Sequence, residues 1–158
     1  EALMSLINLK GDFNQIKQKL PDLLAAYDLD INKSVGKLSM VGKTAGQALR
    51  DQPNDSAYYA MRKAEVNKLV KFMELQIDAC RSRLFRKYTD VPSKELSDRT
   101  KDKYIDNEQE YLELYEILLE IKEVHEKFDA ICTAFDRRGF ALRDWTSLRV
   151  HEMESYVI

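Results

Sequence analysis

The chain has 158 residues and a formal net charge of −2, with 44% hydrophobic and 33% charged residues. This composition excludes a disordered polar chain, and the length suits one domain that buries its own core without disulfide or metal support. Glycine and proline number only five and three, which favours helices over sheets. Cys80 and Cys132 lie far apart in the chain, and they predict free thiols rather than a disulfide framework.

The first part of the chain predicts an arm followed by a long helix. Residues 1–20 are weakly patterned and are expected to form an N-terminal arm. Pro21 suits the first turn of a helix, and apolar residues then recur at steps of three and four as far as Leu49. The sequence "DQPNDS", Asp51 to Ser56, predicts a turn after this helix.

The middle of the chain predicts a second long helix, from about Ala57 to Tyr88. Its apolar residues fall into two stripes, which is typical of a helix with neighbours on two sides. Val91 and Pro92 are expected to end this helix, because the residue before a proline disfavours helical geometry. The polar stretch from Ser93 to Lys101 predicts a short helix or an ordered loop.

The last part predicts a third long helix, from about Asn107 to Asp136, and a final short helix from Ala141 to Glu154. Gly139 separates them as a helix-terminating residue. The predicted fold class is therefore all-α, a bundle of three long antiparallel helices plus a short C-terminal helix. The expected division is an arm over 1–20, a helical bundle over 21–136 and a C-terminal segment over 137–158.

Charge is distributed unevenly along the chain. From Met61 to Tyr88 there are eight cations against three acids, whereas from Asp102 to Asp129 there are ten acids against three cations. A single-strand nucleic-acid surface needs cations that follow phosphates and rings on which bases stack. The basic helix offers both, and its candidate nucleic-acid-binding residues are Lys68, Lys71, Arg81, Arg83, Arg86, Lys87 and Tyr88.

Two other interpretations of these charges remain open. Basic residues favour helix C-termini because of the helix dipole, and a basic helix face often pairs with an acidic one. The acidic helix could instead make the protein a helical interaction adaptor that binds a basic partner. A membrane-binding role is disfavoured, because neither terminus carries a concentrated basic amphipathic helix.

No catalytic motif stands out. The chain contains no phosphate-binding loop, no dinucleotide-binding glycine pattern, no zinc-protease motif and no nucleophile elbow. His125 occupies an apolar heptad position and is expected to be structural, since the Glu-x-x-His pairs of a di-metal bundle are missing. The sequence therefore predicts a protein that is not an enzyme and uses no cofactor or metal.

Two segments carry a resemblance to a known family. "RSRL" at Arg81 to Leu84 is followed by the acidic helix and then by "RRGFALRDWTSLRVHEME" at Arg137 to Glu154. This order resembles the UvsY family, the recombination mediators of T-even-type phages and their relatives. The matching motifs are a basic-x-Arg-Leu segment and an Arg-Gly-Phe-Ala turn at Arg138 to Ala141 that leads into a short helix.

The resemblance implies a ring-like homo-oligomer of all-helical subunits, six or seven in number, in the cytoplasm of an infected bacterial host. It implies binding to single-stranded DNA, to the phage single-strand-binding protein and to the phage recombinase, which such proteins help to load during recombination, replication and repair. DNA contacts are expected at Arg81 and Arg83. Self-assembly is expected at the apolar residues of the C-terminal segment, which are Phe140, Leu142, Trp145 and Leu148.

Overall fold

The computed structural model describes residues 13–90 and 97–154, with side chains from 17 to 90 and from 97 to 152. This part of the chain folds into four α-helices and contains no strand. They are α1 (Phe13–Leu38), α2 (Ala45–Thr89), α3 (Asp98–Ile105) and α4 (Gln109–Glu154). The predicted all-α class is confirmed. The expected arm over 1–20 lies partly outside the described residues, and its last eight residues belong to α1.

The first helix break lies earlier than the sequence suggested. The chain turns between Leu38 and Ala45, where Gly42 adopts a φ of 75° that other residues rarely adopt. Thr44 then caps α2 in a reciprocal pair: its backbone N–H donates to Oε1 of Gln47 at 2.9 Å, and the N–H of Gln47 donates to Oγ1 of Thr44 at 3.2 Å. This capping box fixes where α2 begins.

The turn expected at Asp51 to Ser56 is wrong, because α2 continues through Pro53. Pro53 lies on the exposed side of α2, so the carbonyl that loses its helical partner can bond to water. On the opposite side Ala48 and Tyr59 are almost fully buried. Because buried residues both precede and follow the proline in sequence, their packing keeps this stretch of α2 helical.

The expected separation of a third helix from a C-terminal helix is also wrong. Helix α4 is continuous over 46 residues, and Gly139 lies within it. A Cβ on Gly139 would lie 3.2 Å from Nε2 of Gln52, tighter than ordinary van der Waals contact. Gly139 thus allows α2 to approach α4 closely and does not terminate a helix.

The helices form two compact units. Among the described residues, one unit comprises Glu65–Glu123 without the gap at 91–96, and the other comprises Phe13–Ala64 with the part of α4 that begins at Val124. We call them the α3 unit and the α1 unit. Helices α2 and α4 contribute to both. In the α3 unit they run antiparallel, because Glu74 contacts Lys122 whereas Arg83, further along α2, contacts Glu110. In the α1 unit Gln52 contacts Arg138 whereas Lys63 contacts Asp129, so the two helices are antiparallel there as well.

The core of the α3 unit is aliphatic. Val66, Met73 and Leu84 of α2 are buried, as are Ile121 of α4 and Ile105 at the end of α3. The buried positions of α2 recur at steps of three and four, which leaves the opposite side of the helix to solvent. Helix α3 is thus anchored by an apolar residue at its end, and this fixes the polar side chains that it carries beside α2.

The core of the α1 unit is aromatic. The ring of Tyr59 stacks on Phe135 at a centroid distance of 5.2 Å, and Tyr27 meets Phe128 edge-on at 5.7 Å. Beside these rings lies a buried carboxylate, Asp30, which accepts a hydrogen bond from the Tyr58 hydroxyl at 2.7 Å and forms an ion pair with Nε of Arg62 at 3.0 Å. Nε of Arg62 donates its hydrogen bond to the Tyr58 hydroxyl oxygen at 3.2 Å. A polar network therefore ties α1 to α2.

Candidate nucleic-acid interface

All seven predicted nucleic-acid-binding side chains lie on α2 within the α3 unit. The structure divides them into a group that contacts carboxylates and a group that does not. The contacting group is Arg81, Arg83, Lys87 and Tyr88. Among the described residues, Lys68, Lys71 and Arg86 form no ion pair. The predicted set is therefore not one uniform patch.

On one flank of α2, Arg81 reaches α3. Its Nη2 donates a hydrogen bond to Oδ1 of Asp102 at 2.9 Å, and about half of each side chain remains exposed. The hydrogen bond with this carboxylate raises the pKa of Arg81 above its usual range. The acid that neutralises Arg81 therefore comes from the short helix α3. The sequence predicts either a short helix or an ordered loop in this region.

On the other flank, α2 meets the beginning of α4. Arg83 pairs with Glu110, Nζ of Lys87 donates to Oε1 of Glu108 at 2.9 Å, and the Tyr88 hydroxyl donates to the same oxygen. The hydrogen bonds from Tyr88 and Lys87 lower the pKa of Glu108, and the same contacts raise the pKa of both donors.

A buried thiol lies close to this second flank. Cys80 is 4% exposed, and its Sγ is 3.7 Å from Nη2 of Arg83. Burial raises the pKa of Cys80, while the hydrogen bond from Arg83 acts in the opposite direction. The protonation of this thiol is therefore linked to the position of Arg83.

A groove opens on the first flank, where it is lined by Arg81, Ser82, Phe85, Arg86 and Asp102. We call it the Phe85 groove. It is open to solvent and has a volume of about 470 Å³. The Phe85 ring is half-buried, and Nζ of Lys101 lies 4.9 Å from its centroid. The groove therefore combines one aromatic ring with two lining arginines and one lining carboxylate, while Lys101, which pairs with Asp98 at 3.2 Å, lies beside the ring.

The sequence prediction missed Asp102, which lines the groove, and Lys101, whose Nζ lies over the Phe85 ring. Both lie on α3, and the stretch Ser93 to Lys101 offered only a weak helix signal because it has little apolar periodicity. The useful signal was Ser97 followed by Asp98, a common helix start. The structure assigns Ser97 as the residue that precedes α3, although its side chain makes no capping hydrogen bond.

The cations without ion pairs continue away from the groove along the exposed side of α2. Lys68, Lys71 and Arg86 all lie on the side opposite the buried residues of the helix. Leu75 lies between them and is 66% exposed. This exposed strip offers free positive charge together with some apolar surface.

The four predicted assembly residues do not share one environment. Leu142 is fully buried in the α1 unit, so it serves the core of its own subunit and offers no exposed surface. Phe140, Trp145 and Leu148 are exposed, at 58%, 44% and 63%. From Arg143 to Glu152 every side chain of α4 is exposed. Within the part of the chain that the structure describes, no neighbour buries the side chains from Arg143 to Glu152.

The α1 unit also holds a buried arginine in the family-like motif. Arg138 is 6% exposed, and its Nη1 donates to Oε1 of Gln52 at 3.1 Å. Nε2 of Gln52 in turn donates to the carbonyl of Phe135. Within the described residues, Nε and Nη2 of Arg138 have no hydrogen-bond partner. Gln52 therefore connects α2 to α4 at the place where Gly139 lets them approach.

Across residues 13–90 and 97–154, no three His, Cys, Asp or Glu side chains are grouped so that they could hold a metal ion. None of the helices described has the length and apolar character needed to span a membrane. Compared with protein-family models, with curated proteins and with solved structures, the chain matches none of them.

Proposed function

We propose that the chain is a non-enzymatic, single-stranded-DNA-binding recombination mediator of the UvsY family. In this role it helps a phage recombinase to load onto DNA that is coated by single-strand-binding protein, in the cytoplasm of an infected bacterium. The observation that carries the proposal is the Phe85 groove, in which Arg81 and Arg86 line the same cavity as one aromatic ring and Lys101 lies beside that ring. The motifs at Arg81 to Leu84 and at Arg138 to Ala141 support the assignment to this family.

The groove favours a single strand over a duplex for a physical reason. A base can stack on Phe85 only if its face is free, and in a duplex both faces are already stacked on neighbouring bases. The cations beside the ring then contact the adjacent phosphates, and Arg is suited to this because its planar fork donates two hydrogen bonds. Such contacts are independent of sequence, as a mediator that acts along a whole strand requires.

Assembly is the second part of the proposal. A few cations on one subunit bind DNA weakly at physiological salt, whereas a ring repeats the patch and raises the effective concentration of sites. The exposed Phe140, Trp145 and Leu148 support a subunit contact on the last turns of α4, because apolar side chains gathered on one helix end are stabilised when a neighbour covers them. Light scattering gives the mass of the assembly. Trp145, the one tryptophan, should shift its emission to shorter wavelength as subunits associate.

The DNA-binding proposal is tested by fluorescence anisotropy with a labelled oligonucleotide at several salt concentrations. We expect binding that weakens steeply with salt, and a duplex of equal length should compete poorly. Phe85→Leu retains an apolar side chain but removes the ring, so it should weaken single-strand binding by about tenfold. Phe72→Leu is the matched control, because this half-buried ring lies on α2 away from the groove. Absence of binding at low salt would refute the proposal.

A protein-interaction adaptor is the second candidate. The acidic part of α4 keeps exposed carboxylates such as Glu116 and Glu120, which could contact a basic partner. However, Glu108 and Glu110 already pair with cations of α2, and Asp129 pairs with Lys63. The acidic segment is therefore partly neutralised within the chain. An adaptor would show no oligonucleotide binding at low salt, so the same titration separates the two functions.

A further inference from the structure

Three carboxylates form ion pairs with cations that are candidates for phosphate contacts. Asp102 contacts Arg81, Glu110 contacts Arg83 and Glu108 contacts Lys87. We infer that these three acids, which we call the carboxylate latch, are built-in competitors of the DNA phosphates: the strand binds by exchanging its phosphates for them. This inference rests on the proposed function and adds to it a means of keeping the affinity low.

The geometry of the pairs supports exchange. A carboxylate oxygen at 2.9 Å from Nη2 of Arg81 or from Nζ of Lys87 occupies the place that a phosphate oxygen would take. Arg83 and Lys87 are more than half exposed at their side chains, and so is Glu110. Exposed ion pairs are weak because water screens them, so a phosphate can displace Asp102 and Glu110 without breaking a buried contact. Glu108 is 25% exposed, and after exchange at Lys87 it keeps its hydrogen bond from the Tyr88 hydroxyl.

The acids come from separate elements that converge on α2. Asp102 lies on α3, Glu110 lies in the first turn of α4, and Glu108 directly precedes that helix. Glu108 and Glu110 also lie at the positive end of the α4 dipole, where a carboxylate stabilises the helix, and this provides an alternative explanation for these two acids. Asp102 has no such explanation, because its partner Arg81 is on α2 and Asp102 is not in the first turn of α3. The two explanations make different predictions about DNA binding.

The difference appears in the salt dependence. A free cation that contacts a phosphate of a single strand contributes about 0.7 to the slope of log affinity against log salt, because a condensed counterion is released. When a latch carboxylate is displaced, it attracts a cation from solution, and this offsets the release. The slope of the native protein should therefore reflect mainly Lys68, Lys71 and Arg86 and not the whole set of cations.

The decisive variant replaces the latch by amides: Asp102→Asn, Glu108→Gln and Glu110→Gln together. We expect binding of the oligonucleotide about tenfold tighter at low salt, and a slope steeper by about 2, since three paired cations become free. The matched control, Glu116→Gln, Glu120→Gln and Glu126→Gln, changes the net charge equally on exposed acids that form no ion pair among the described residues. It should leave the slope unchanged.

Each outcome decides the question. If the latch variant keeps the native affinity and slope while Phe85→Leu weakens binding, the inference is wrong and the proposed function stands. Equal tightening in both triple variants would also overturn it, since bulk charge would explain the gain. Binding by the latch variant alone, without native binding, would refute both the proposed function and the inference, since the native protein would then exchange nothing. If neither binds, the proposed function fails and the inference with it. Asp102→Asn alone, which leaves α4 untouched, gives the same comparison if the triple variant is unstable.

Discussion

Arg81 and Arg83 are two residues apart in the chain, yet they contact carboxylates on different helices: Arg81 contacts Asp102 of α3, and Arg83 contacts Glu110 of α4. Successive residues of an α-helix are rotated by about 100°, so these two side chains leave α2 about 160° apart. A DNA strand that lies along one face of α2 therefore cannot contact both arginines. Arg86 points between these directions, towards solvent, and also lines the Phe85 groove.

The first prediction concerns the relative contributions of Arg86 and Arg83 to DNA binding. Arg86→Ala should weaken oligonucleotide binding by about threefold to tenfold at low salt and reduce the salt slope by about 0.7, because Arg86 pairs with no carboxylate among the described residues. Arg83→Ala should have a smaller effect on both, since its phosphate contact replaces an ion pair. Anisotropy titrations measure both quantities.

The charge-matched control for this comparison is Arg137→Ala, which removes an exposed cation from the α1 unit. It should bind like the native protein. A larger loss from Arg83→Ala than from Arg86→Ala would contradict the assignment of Arg86 as the principal free cation.

The second prediction concerns the close approach at Gly139. Alanine in a helix is favoured over glycine by about 1 kcal/mol, but a Cβ here would push against Gln52, whose amide is held by Phe135 and Arg138. We therefore expect Gly139→Ala to destabilise the native chain by about 1 kcal/mol. In a Gln52→Ala background the same change should stabilise by about 1 kcal/mol.

Urea unfolding of the four chains gives this double-mutant cycle. Gly36→Ala is the matched control, because Gly36 also lies in a helix and a Cβ there would meet nothing within 4 Å. It should be neutral or stabilising in both backgrounds. Additive effects of Gly139→Ala and Gln52→Ala would mean that Gln52 moves aside freely.

The third prediction concerns the buried carboxylate Asp30. Asp30→Ala removes the acceptor for Tyr58 and the charge that faces Nε of Arg62, whose side chain is 14% exposed. Loss of one partner from a buried pair is strongly destabilising, so we expect a loss of about 3 kcal/mol in urea unfolding. Lys33→Ala is the control, because Lys33 is exposed and 4.0 Å from Asp30, and it should change stability by less than about 0.5 kcal/mol. Similar losses in both variants would argue against the network.

The fourth prediction is a dependence of stability on alkaline pH. Burial, followed by the charge of Asp30, raises the pKa of Tyr59 to about 12, compared with 10.0 in the unfolded chain. The folded state thus keeps a proton that the unfolded state releases, so this contribution is complete below about pH 10 and decreases as pH rises towards 12. Unfolding measured between pH 8 and about pH 11 should show the decline, and Tyr59→Phe should reduce it. An equal decline in the variant would refute this cause.

Much of the helical content could be predicted from apolar periodicity. However, the helix ends predicted near Pro53 and Gly139 do not exist in the structure. Pro53 and Gly139 are both residues that commonly end helices, and both lie inside one. The packing of neighbouring residues outweighs their local preference. The true start of α2 was present in the sequence as Thr44 and Gln47, a capping box whose spacing is specific.

The candidate site was predicted only in part. The density of cations on α2 indicates the candidate residues, but the carboxylates that Arg81 and Arg83 contact lie 21 and 27 residues away in sequence. No local pattern specifies which acid will meet which base across helices. The same limit applies to Leu142, whose apolar character suited a subunit contact as well as the core in which it is buried.

Cys80 gives the molecule a chemical reporter of its own. Burial raises the pKa of this thiol, whereas Nη2 of Arg83, 3.7 Å from the sulfur, acts in the opposite direction by favouring the thiolate, the form that reacts with alkylating reagents. When Arg83 turns towards a phosphate, the thiolate loses this support, and alkylation of Cys80 should become slower. With Cys132 replaced by alanine, the modification rate of one native sulfur would follow the departure of an arginine without any added label.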